Sequence, residues 1–369
     1  MALTNFWWLL IWLFTGGLAL AYFSPKERIV INGRIKERWW IFSAMLLALP
    51  YVLWAGFRTD SYGDTYAYRT MFQDAPSSFS EIVSYVQAAT KDQGFSALMA
   101  LIKCIFGNSE VIFFLLIAFV QMLCLVYFYK KYSCNFWLSM FLFVATGDYI
   151  SWMHNGMRQF LAVTIVLVSL DFLIKKKYIV LILLILFAST IHASALLMIP
   201  GIFIIQGKAW NKKSVLVLLA AMCAILMIDR FTNIMETLLV DTQYSSAFTE
   251  MQMMGDDGTN PIRVLVYSVP TILSIIGLKW IRQEDDPVIN MAVNAGICAS
   301  GIFCVSIFSS GILVGRLPVY FYVISQGILL PWLVENLFTQ DSKKIVMIVM
   351  IICYIVYFYY QMHFGMGLL

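Results

Sequence analysis

Long apolar runs separated by short polar segments dominate this chain. A helix needs about 17 to 25 mostly apolar residues to cross the hydrocarbon layer of a membrane. The pattern predicts an all-α, polytopic integral membrane protein that forms one membrane domain over residues 1–369. The predicted spans are 5–23, 39–57, 111–129, 134–150, 157–174, 213–229, 262–281, 287–308, 315–335 and 345–362.

Residues 178–206 pose a separate problem because they lie between two lysine clusters that should face the same side. The segment must therefore go out and return. Each arm is short, about 20 Å of helix at 1.5 Å per residue. The turn at Ile191-His192 would lie below the outer surface, where non-helical backbone is tolerated only against protein or a wet cavity. Counting this hairpin predicts about 12 crossings.

Basic residues set the predicted orientation, because cytoplasmic loops are rich in Lys and Arg. The predicted cytoplasmic residues are Lys26, Arg28, Arg34, Lys36, Arg38, Lys130, Lys131, Lys175, Lys176, Lys177, Lys208, Lys212, Lys213, Lys279, Arg282, Lys343 and Lys344. The eight that face outward are Arg58, Arg69, Lys91, Lys103, Arg158, Arg230, Arg263 and Arg316. Both termini are predicted to lie outside, and 58–110 and 230–261 to be extracytoplasmic loops. Within the first loop, 95–106 is predicted to be a re-entrant or interfacial helix.

Composition supports this class and excludes others. Hydrophobic residues make up 61% of the 369 residues and charged residues 12%, which excludes a soluble globular domain. The net charge of +4 comes from short clusters without a basic stripe, so no nucleic-acid partner is expected. The seven cysteines show no metal-ligand spacing and indicate neither a zinc site nor a disulfide framework.

The first group of outward polar residues follows the second span. If residues 60–72 are helical, Asp60, Asp64, Tyr68 and Phe72 recur every four residues and share one face. Such a face could offer a carboxylate to a hydroxyl group and an aromatic ring to a sugar. The alternative is an ordinary solvated loop helix with acids near its start, where the helix dipole favours them.

The second group lies at the turn between the spans 134–150 and 157–174. His154 and Arg158 are four residues apart, as are Asn155 and Gln159, so a continuous helix would stack each pair on one side. The alternative is that these residues cap the helix and reach the membrane interface. Asp171, near Lys175, is interpreted as half of an ion pair at the cytoplasmic end.

These motifs together carry a resemblance. Arg58, Asp64-Thr65, Tyr68 and Phe72 are followed by Asp92-Gln93-Gly94-Phe95 and by Asn155 through Ala162. His192-Ala193-Ser194-Ala195-Leu196 and then Arg316 with Tyr320 complete the series. This succession resembles the EpsG family of bacterial exopolysaccharide polymerases, which is functionally akin to Wzy-type O-antigen and capsule polymerases. Asp60 departs from the family's Asp-Thr pattern.

The resemblance implies a glycosyltransferase reaction. A glycan held on undecaprenyl diphosphate would pass to a sugar hydroxyl of another lipid-linked repeat unit, at the outer face of the cytoplasmic membrane. Arginine suits the departing diphosphate because its planar fork binds phosphate oxygens in pairs. Arg158 and Arg316 are therefore the leading diphosphate ligands, with Arg58 and Arg263 in support.

The other site residues are assigned by their chemistry. Asp64 is the first candidate for the base that takes the hydroxyl proton, His192 the second and His154 the third. The predicted sugar-binding residues are Asp60, Tyr68, Asp92, Asn155, Gln159, Tyr244 and Tyr320. No Asp-x-Asp pair marks a divalent cation, so a metal-independent reaction without a cofactor is expected.

The expected partners are the lipid-linked donor and acceptor and membrane lipid. A chain-length regulator and a flippase of the same pathway are candidate partners. Two other functions stay open: a transporter or flippase of lipid-linked oligosaccharide, and a membrane acyltransferase that uses His192 as a base. A transporter should carry charged or helix-breaking features at mid-membrane, and an acyl donor is usually cytoplasmic, opposite the predicted side of His192.

Overall fold

The computed structural model describes residues 6–31, 34–59, 63–228, 230, 234 and 258–368. Helices make up most of this part of the chain, which confirms the helical class. The helices are Trp7–Phe23, Ile41–Gly56, Thr65–Asp74, Ile82–Ala88, Gln93–Phe106, Glu110–Tyr132, Phe136–Ala145, Met157–Ile174, Tyr178–Ile191, Met198–Ile205, Lys212–Leu226, Pro261–Ile276, Leu278–Glu284, Pro287–Ile307, Val319–Ile324, Leu330–Asn336 and Gln340–Tyr360.

Among these described residues, four helical segments are long and apolar enough to cross a membrane. They are Glu110–Tyr132, Met157–Ile174, Pro287–Ile307 and Gln340–Gly365. The pair Pro261–Ile276 and Leu278–Glu284, bent by 74°, is a fifth if it counts as one span. Other apolar runs form helices of 10 to 17 residues. The protein is therefore a membrane protein, and the count of 12 crossings stays a prediction.

A β-hairpin corrects the all-α prediction. Lys26–Ile31 pairs with Arg34–Trp39 in antiparallel register, with Glu27 opposite Arg38. The sequence predicted only a basic cytoplasmic loop for this segment. Antiparallel pairing satisfies the backbone donors and acceptors of a segment too polar to enter the membrane. An ion pair of 2.6 Å between Lys130 Nζ and Glu27 Oε2 ties the hairpin to the end of a membrane helix.

The described chain divides into two compact units, and the first comprises residues up to 195 together with 338–369. Within it, Glu110–Tyr132 packs against Ile41–Gly56 and Met157–Ile174. The backbone of Gly56 lies so close to Leu115 that an added Cβ would be 2.2 Å from Leu115 Cδ2. Small residues allow such close helix approach, which gives membrane helices much of their packing energy.

The second unit covers residues 196–337. Pro287–Ile307 packs against Lys212–Leu226, Pro261–Ile276 and Val319–Ile324. Asn290 Oδ1 accepts from the backbone N–H of Ala209, and Asn294 Oδ1 from that of Trp210, each at 3.0 Å. These two amides satisfy the backbone donors of a turn in which Trp210 has a positive φ of 56°.

Asp171 forms an ion pair, but with a different partner from the one predicted. Its carboxylate binds Lys131 of the neighbouring Glu110–Tyr132 helix. The hydroxyl groups of Tyr127 and Tyr132 also donate to it, the first at 2.8 Å. Lys175 follows Asp171 on the same helix, whereas Lys131 comes from the helix packed beside it. Helix packing therefore decided the pairing.

Candidate functional site

The helix that carries Tyr68 begins later than the sequence suggested. It runs over Thr65–Asp74, with Asp64 at the N-cap position. Gly63 has a φ of +62°, which is not helical, so the predicted continuous helix over 60–72 is wrong. Asp60 lies outside the described residues. Asp64 is exposed at the start of this helix, while Tyr68 and Phe72 share its buried face.

Two contacts fix this helix in place. Lys103 Nζ donates to the backbone carbonyl oxygens of Phe72 at 3.2 Å and Gln73 at 2.6 Å. These carbonyls end the helix, where a positive charge is favoured by the helix dipole. The Phe72 ring stacks on Phe113, with ring centroids 4.7 Å apart. Lys103 therefore has a structural partner and helps to position Tyr68.

Asp92 stands at the N-cap position of the helix Gln93–Phe106, which confirms a separate helix in the segment predicted to be the first extracytoplasmic loop. The residue has a φ of +52°, and only 7% of its side chain is exposed. Burial raises the pKa of its carboxyl, while Arg158, Lys91 and the backbone N–H of Ala193 act in the opposite direction. Asp92 is therefore a buried acid held by several donors.

Arg158 reaches this acid from the start of the helix Met157–Ile174. Its Nη1 donates to Asp92 Oδ2 at 2.9 Å. The guanidinium carbon lies 5.6 Å from the centroid of the Tyr68 ring, and Asp64 also acts on Arg158 electrostatically. Arg158 Nε is buried and has no hydrogen-bond partner among the described residues. Asp92 thus holds the Nη1 group of the guanidinium, while the Nε–H donor stays unused.

Arg58 is a second buried cation beside Tyr68. Its Nε donates to the carbonyl of Ala55 at 2.5 Å and its Nη1 to that of His154 at 3.5 Å. Its Nη2 is buried without a hydrogen-bond partner in the described part of the chain. Burial lowers the pKa of Arg58 to about 10, against the opposite influence of Tyr149 and Tyr68.

Together these residues define one group, which we call the arginine cluster: Arg58, Asp64, Tyr68, Asp92 and Arg158. The Tyr68 phenol interacts electrostatically with both guanidiniums. The group combines two cations, two carboxylates and an aromatic ring at the beginning of a membrane helix. Such a group can bind an anion through the unused N–H donors and accept a proton at an exposed carboxylate.

His192 lies at the turn that the sequence predicted. The helix Tyr178–Ile191 ends before it, and His192 itself is extended, with φ −153° and ψ 116°. Its Nδ1 is 2.7 Å from Ser194 Oγ. The next residue, Ala193, donates its backbone N–H to Asp92. The turn therefore borders the arginine cluster. Ser194 was missed as a site residue, although its spacing of two from His192 was a usable signal.

His154 lies in a different setting from Arg158. A π-helical turn, Ser151–Asn155, ends at Gly156 and the next helix begins at Met157, so the predicted continuous helix is wrong. The His154 ring is buried against Trp54, at 4.9 Å between centroids, and its Nε2 is 3.4 Å from Tyr149 Oη. Burial and the nearby Arg58 lower the pKa of His154 well below its usual value. This setting favours a positioning role for His154.

Asn155 and Gln159 are also separated by the break at Gly156. Asn155 lies against Gly63, where an added Cβ would be 3.0 Å from Asn155 Cβ and Oδ1. This contact places Asn155 beside the loop that leads to Asp64. Gln159 is buried, with 4% of its surface exposed. The contact with Gly63 thus brings Asn155 next to the start of the helix that carries Tyr68.

The remaining candidates lie in the second unit. Arg263 follows the N-cap Asn260, and its guanidinium carbon is 5.6 Å from the Tyr267 ring centroid. Arg316 lies half-buried in a turn before the helix Val319–Ile324. An added Cβ on Gly315 would be 2.2 Å from Thr259 Oγ1, so the segments that carry these two arginines touch. Their convergence with Arg158 stays a prediction.

The last two candidates are the predicted sugar-binding residues Tyr320 and Tyr244. Tyr320 is fully buried in the helix Val319–Ile324, so its ring does not present an exposed face. Tyr244 lies outside the described residues. In the described part of the chain, no group of three or more His, Cys, Asp or Glu residues is arranged to hold a metal ion.

The fold and the site define a class. This is a helical integral membrane protein in which Arg158, at the start of a membrane helix, pairs with the carboxylate of Asp92. The sequence matches the EpsG family over residues 5–367, so the chain belongs to that family. Membership indicates an exopolysaccharide-polymerase-like role of the glycosyltransferase type. Neither a comparison with curated proteins nor one with solved structures found a match.

Proposed function

We propose that this protein polymerises a surface polysaccharide by joining oligosaccharide repeat units carried on undecaprenyl diphosphate. The reaction takes place at the outer face of the cytoplasmic membrane. The observation that best supports this is the pair of buried, unused donors, Arg158 Nε and Arg58 Nη2. An unpaired buried donor on a charged group is costly, so such donors favour an anionic ligand that completes them.

The diphosphate of the donor substrate is that ligand in our proposal. The hydroxyl oxygen of the acceptor sugar attacks the anomeric carbon of the donor glycan, and the bond from that carbon to the diphosphate oxygen breaks. The electron pair leaves with undecaprenyl diphosphate. Arg158 and Arg58 stabilise the charge that builds on the leaving group, which is where fixed N–H donors accelerate such a reaction most.

The proton of the attacking hydroxyl goes to Asp64. Its exposure at the start of the helix Thr65–Asp74 makes it accessible to a substrate, and it interacts electrostatically with Arg158. His192 is the second candidate, because the turn that carries it borders Asp92. Asp92, by contrast, is occupied by Arg158 and holds that arginine in position.

Arg263 and Arg316 supply a further phosphate contact in this proposal. Arg263 stands in the first turn of the helix Pro261–Ile276 and Arg316 in a turn before the helix Val319–Ile324, and their chain segments touch through Thr259 and Gly315. Backbone N–H groups at helix starts add to the attraction of a guanidinium for an anion. Two lipid-linked substrates must bind, one as donor and one as acceptor, so a second basic site has a defined use.

Purified protein incubated with lipid-linked repeat units tests the proposal. Chain lengthening without an acyl donor is the expected result. Movement of the lipid-linked units across a vesicle membrane without lengthening would instead identify a transporter. Acyl transfer to the glycan, dependent on an added acyl donor, would identify an acyltransferase. Either of these results without chain lengthening would overturn the proposal.

A further inference from the structure

A cavity of about 240 Å³ lies between the β-hairpin and the junction of two helices in the first unit. The hairpin contributes Lys26, Glu37, Arg38 and Trp39, and the junction contributes Lys130, Ser133, Cys134, Asn135 and Phe136. The sequence predicts that this face is cytoplasmic, opposite the arginine cluster. The proposed polymerase reaction therefore makes no use of the cavity.

The charges around this cavity are only partly paired. Lys130 Nζ lies 2.6 Å from Glu27 Oε2, and Arg28 Nε lies 3.4 Å from Glu37 Oε1. Lys26 and Arg38 have no carboxylate within ion-pair distance among the described residues. Burial lowers the pKa of both, with weaker opposing effects from Glu37 on Lys26 and Glu27 on Arg38. Two positive charges thus remain without a direct counter-charge.

Aromatic side chains form an apolar wall beside these charges. Lys26 Nζ lies 4.3 Å from the Trp39 ring centroid, and the Trp39 and Phe136 rings are 5.4 Å apart. Ser133 and Asn135 add a hydroxyl and an amide at the start of the helix Phe136–Ala145. Polar donors next to a Trp ring are typical of the depth at which lipid headgroups lie.

We infer that this cavity binds the phosphate group of an anionic phospholipid headgroup, with Lys26 and Arg38 as its ligands. The cavity adjoins the end of the membrane helix Glu110–Tyr132, so a headgroup can enter it while its acyl chains stay in the bilayer. Basic pockets at the cytoplasmic side of membrane helices bind lipids in this way. The volume is below the roughly 300 Å³ at which sites for whole small molecules begin, so it fits a headgroup better than a nucleotide sugar.

Thermal unfolding of the lipid-depleted full chain in detergent tests the inference. Phosphatidylglycerol should raise the unfolding temperature, and phosphatidylcholine should not, because its headgroup carries no net negative charge. In Arg38→Gln and Lys26→Gln, the phosphatidylglycerol concentration at half-maximal effect should rise about tenfold each. The control is Arg282→Gln, which removes an exposed arginine that does not line the cavity.

A second experiment distinguishes a phospholipid headgroup from free inorganic phosphate as the ligand. Inorganic phosphate alone, at equal phosphate concentration, should have little effect on wild-type protein. If it stabilised the protein as strongly as phosphatidylglycerol, the lipid would not be the ligand. Equal loss of the lipid effect in Arg282→Gln and Arg38→Gln would remove the cavity as the binding site. If either Arg38→Gln or Lys26→Gln does not fold, the other variant is used alone. Native mass spectrometry then counts the lipid that it retains, and this count should be lower than for wild type.

Discussion

Arg158 Nη1 lies 2.9 Å from Asp92 Oδ2, and this contact joins the first turn of a membrane helix to the start of the helix Gln93–Phe106. The two residues are 66 positions apart in the chain. The pair is charge-assisted and its acid is almost fully buried, so it is stronger than an ion pair on the surface. It orients the guanidinium and leaves Nε for another partner.

Loss of this guanidinium should abolish most of the proposed reaction. We expect Arg158→Ala to lower the rate of polymer formation by about 10²- to 10³-fold, because a donor to the leaving group is removed. Arg158→Lys should recover little, since an ammonium cannot bind phosphate oxygens as a planar fork. Chain length is measured on lipid-linked repeat units with purified protein.

The control for this variant is Arg282→Ala, which removes an exposed arginine on the opposite predicted side of the membrane. It should keep wild-type polymer yield. An unfolding temperature of Arg158→Ala near that of wild type separates loss of chemistry from loss of fold. Full polymer yield from Arg158→Ala would remove this residue from the site.

Asp64 gives a prediction about the base. Asp64→Asn keeps the size of the side chain but cannot take a proton, so the rate should fall about 10²- to 10⁴-fold. The carboxylate is exposed, and the unfolding temperature should therefore change little. If Asp64→Asn polymerises normally while His192→Gln does not, the role of base belongs to His192.

The buried carboxyl of Asp92 predicts a specific dependence on pH. Burial raises its pKa, so the folded protein binds this proton more tightly than the unfolded chain does. At neutral pH the buried, charged carboxylate of Asp92 lowers the unfolding free energy. This cost disappears as the pH falls through the raised pKa and the carboxylate takes up a proton. Relative to Asp92→Asn, the wild-type protein should therefore gain unfolding free energy on acidification.

This gain is measured by unfolding both proteins at a series of pH values from 7 to 4. For one titrating group the slope cannot exceed about 1.4 kcal/mol per pH unit. Parallel curves for the two proteins, or a loss of wild-type stability relative to the variant, would contradict the prediction.

Lys103 should contribute to stability and not directly to chemistry. Lys103→Met keeps an unbranched apolar stem but removes the donors to the carbonyls of Phe72 and Gln73. We expect a loss of about 1–3 kcal/mol in unfolding free energy, because buried carbonyls lose their partner. Lys91→Met, at an exposed position on the same loop, is the control and should change little. Equal stability of the two variants would show that Lys103 does not hold the helix.

The metal-independent reaction expected from the sequence is tested with a chelator. We expect polymer formation to continue in EDTA, because the guanidiniums take the place that a divalent cation would have at the diphosphate. Turnover that stops in EDTA and returns on addition of magnesium alone would refute this expectation.

Periodicity and length predicted much of the fold. The runs 111–129, 157–174 and 287–308 correspond to the helices Glu110–Tyr132, Met157–Ile174 and Pro287–Ile307. Apolar length is a strong signal because the bilayer sets it. The hairpin was missed because its charged strands give no membrane signal, although Asn32-Gly33 between two polar and β-branched stretches is a known turn sequence.

Part of the grouping of the candidate residues was predicted from the sequence, and their function stays a prediction. Residue chemistry was enough to select Arg58, Tyr68, Asp92 and Arg158, which the fold brings together. The sequence did not predict the local geometry correctly. Gly63 and Gly156 interrupt the helices that had been predicted from a spacing of four residues. Pairing across helices, as between Asp171 and Lys131, depends on packing that sequence spacing does not encode.

Gly94 has a consequence for the spacing of Asp92 and His192. An added Cβ there would be 2.2 Å from Thr190 Oγ1. The backbone of the helix Gln93–Phe106 at Gly94 is therefore in close contact with the Thr190 side chain of the helix Tyr178–Ile191. Asp92 and His192 flank this contact, one before the start of the first helix and one after the end of the second. A side chain larger than hydrogen at position 94 would therefore have to push the two helices apart, and with them Asp92 and His192.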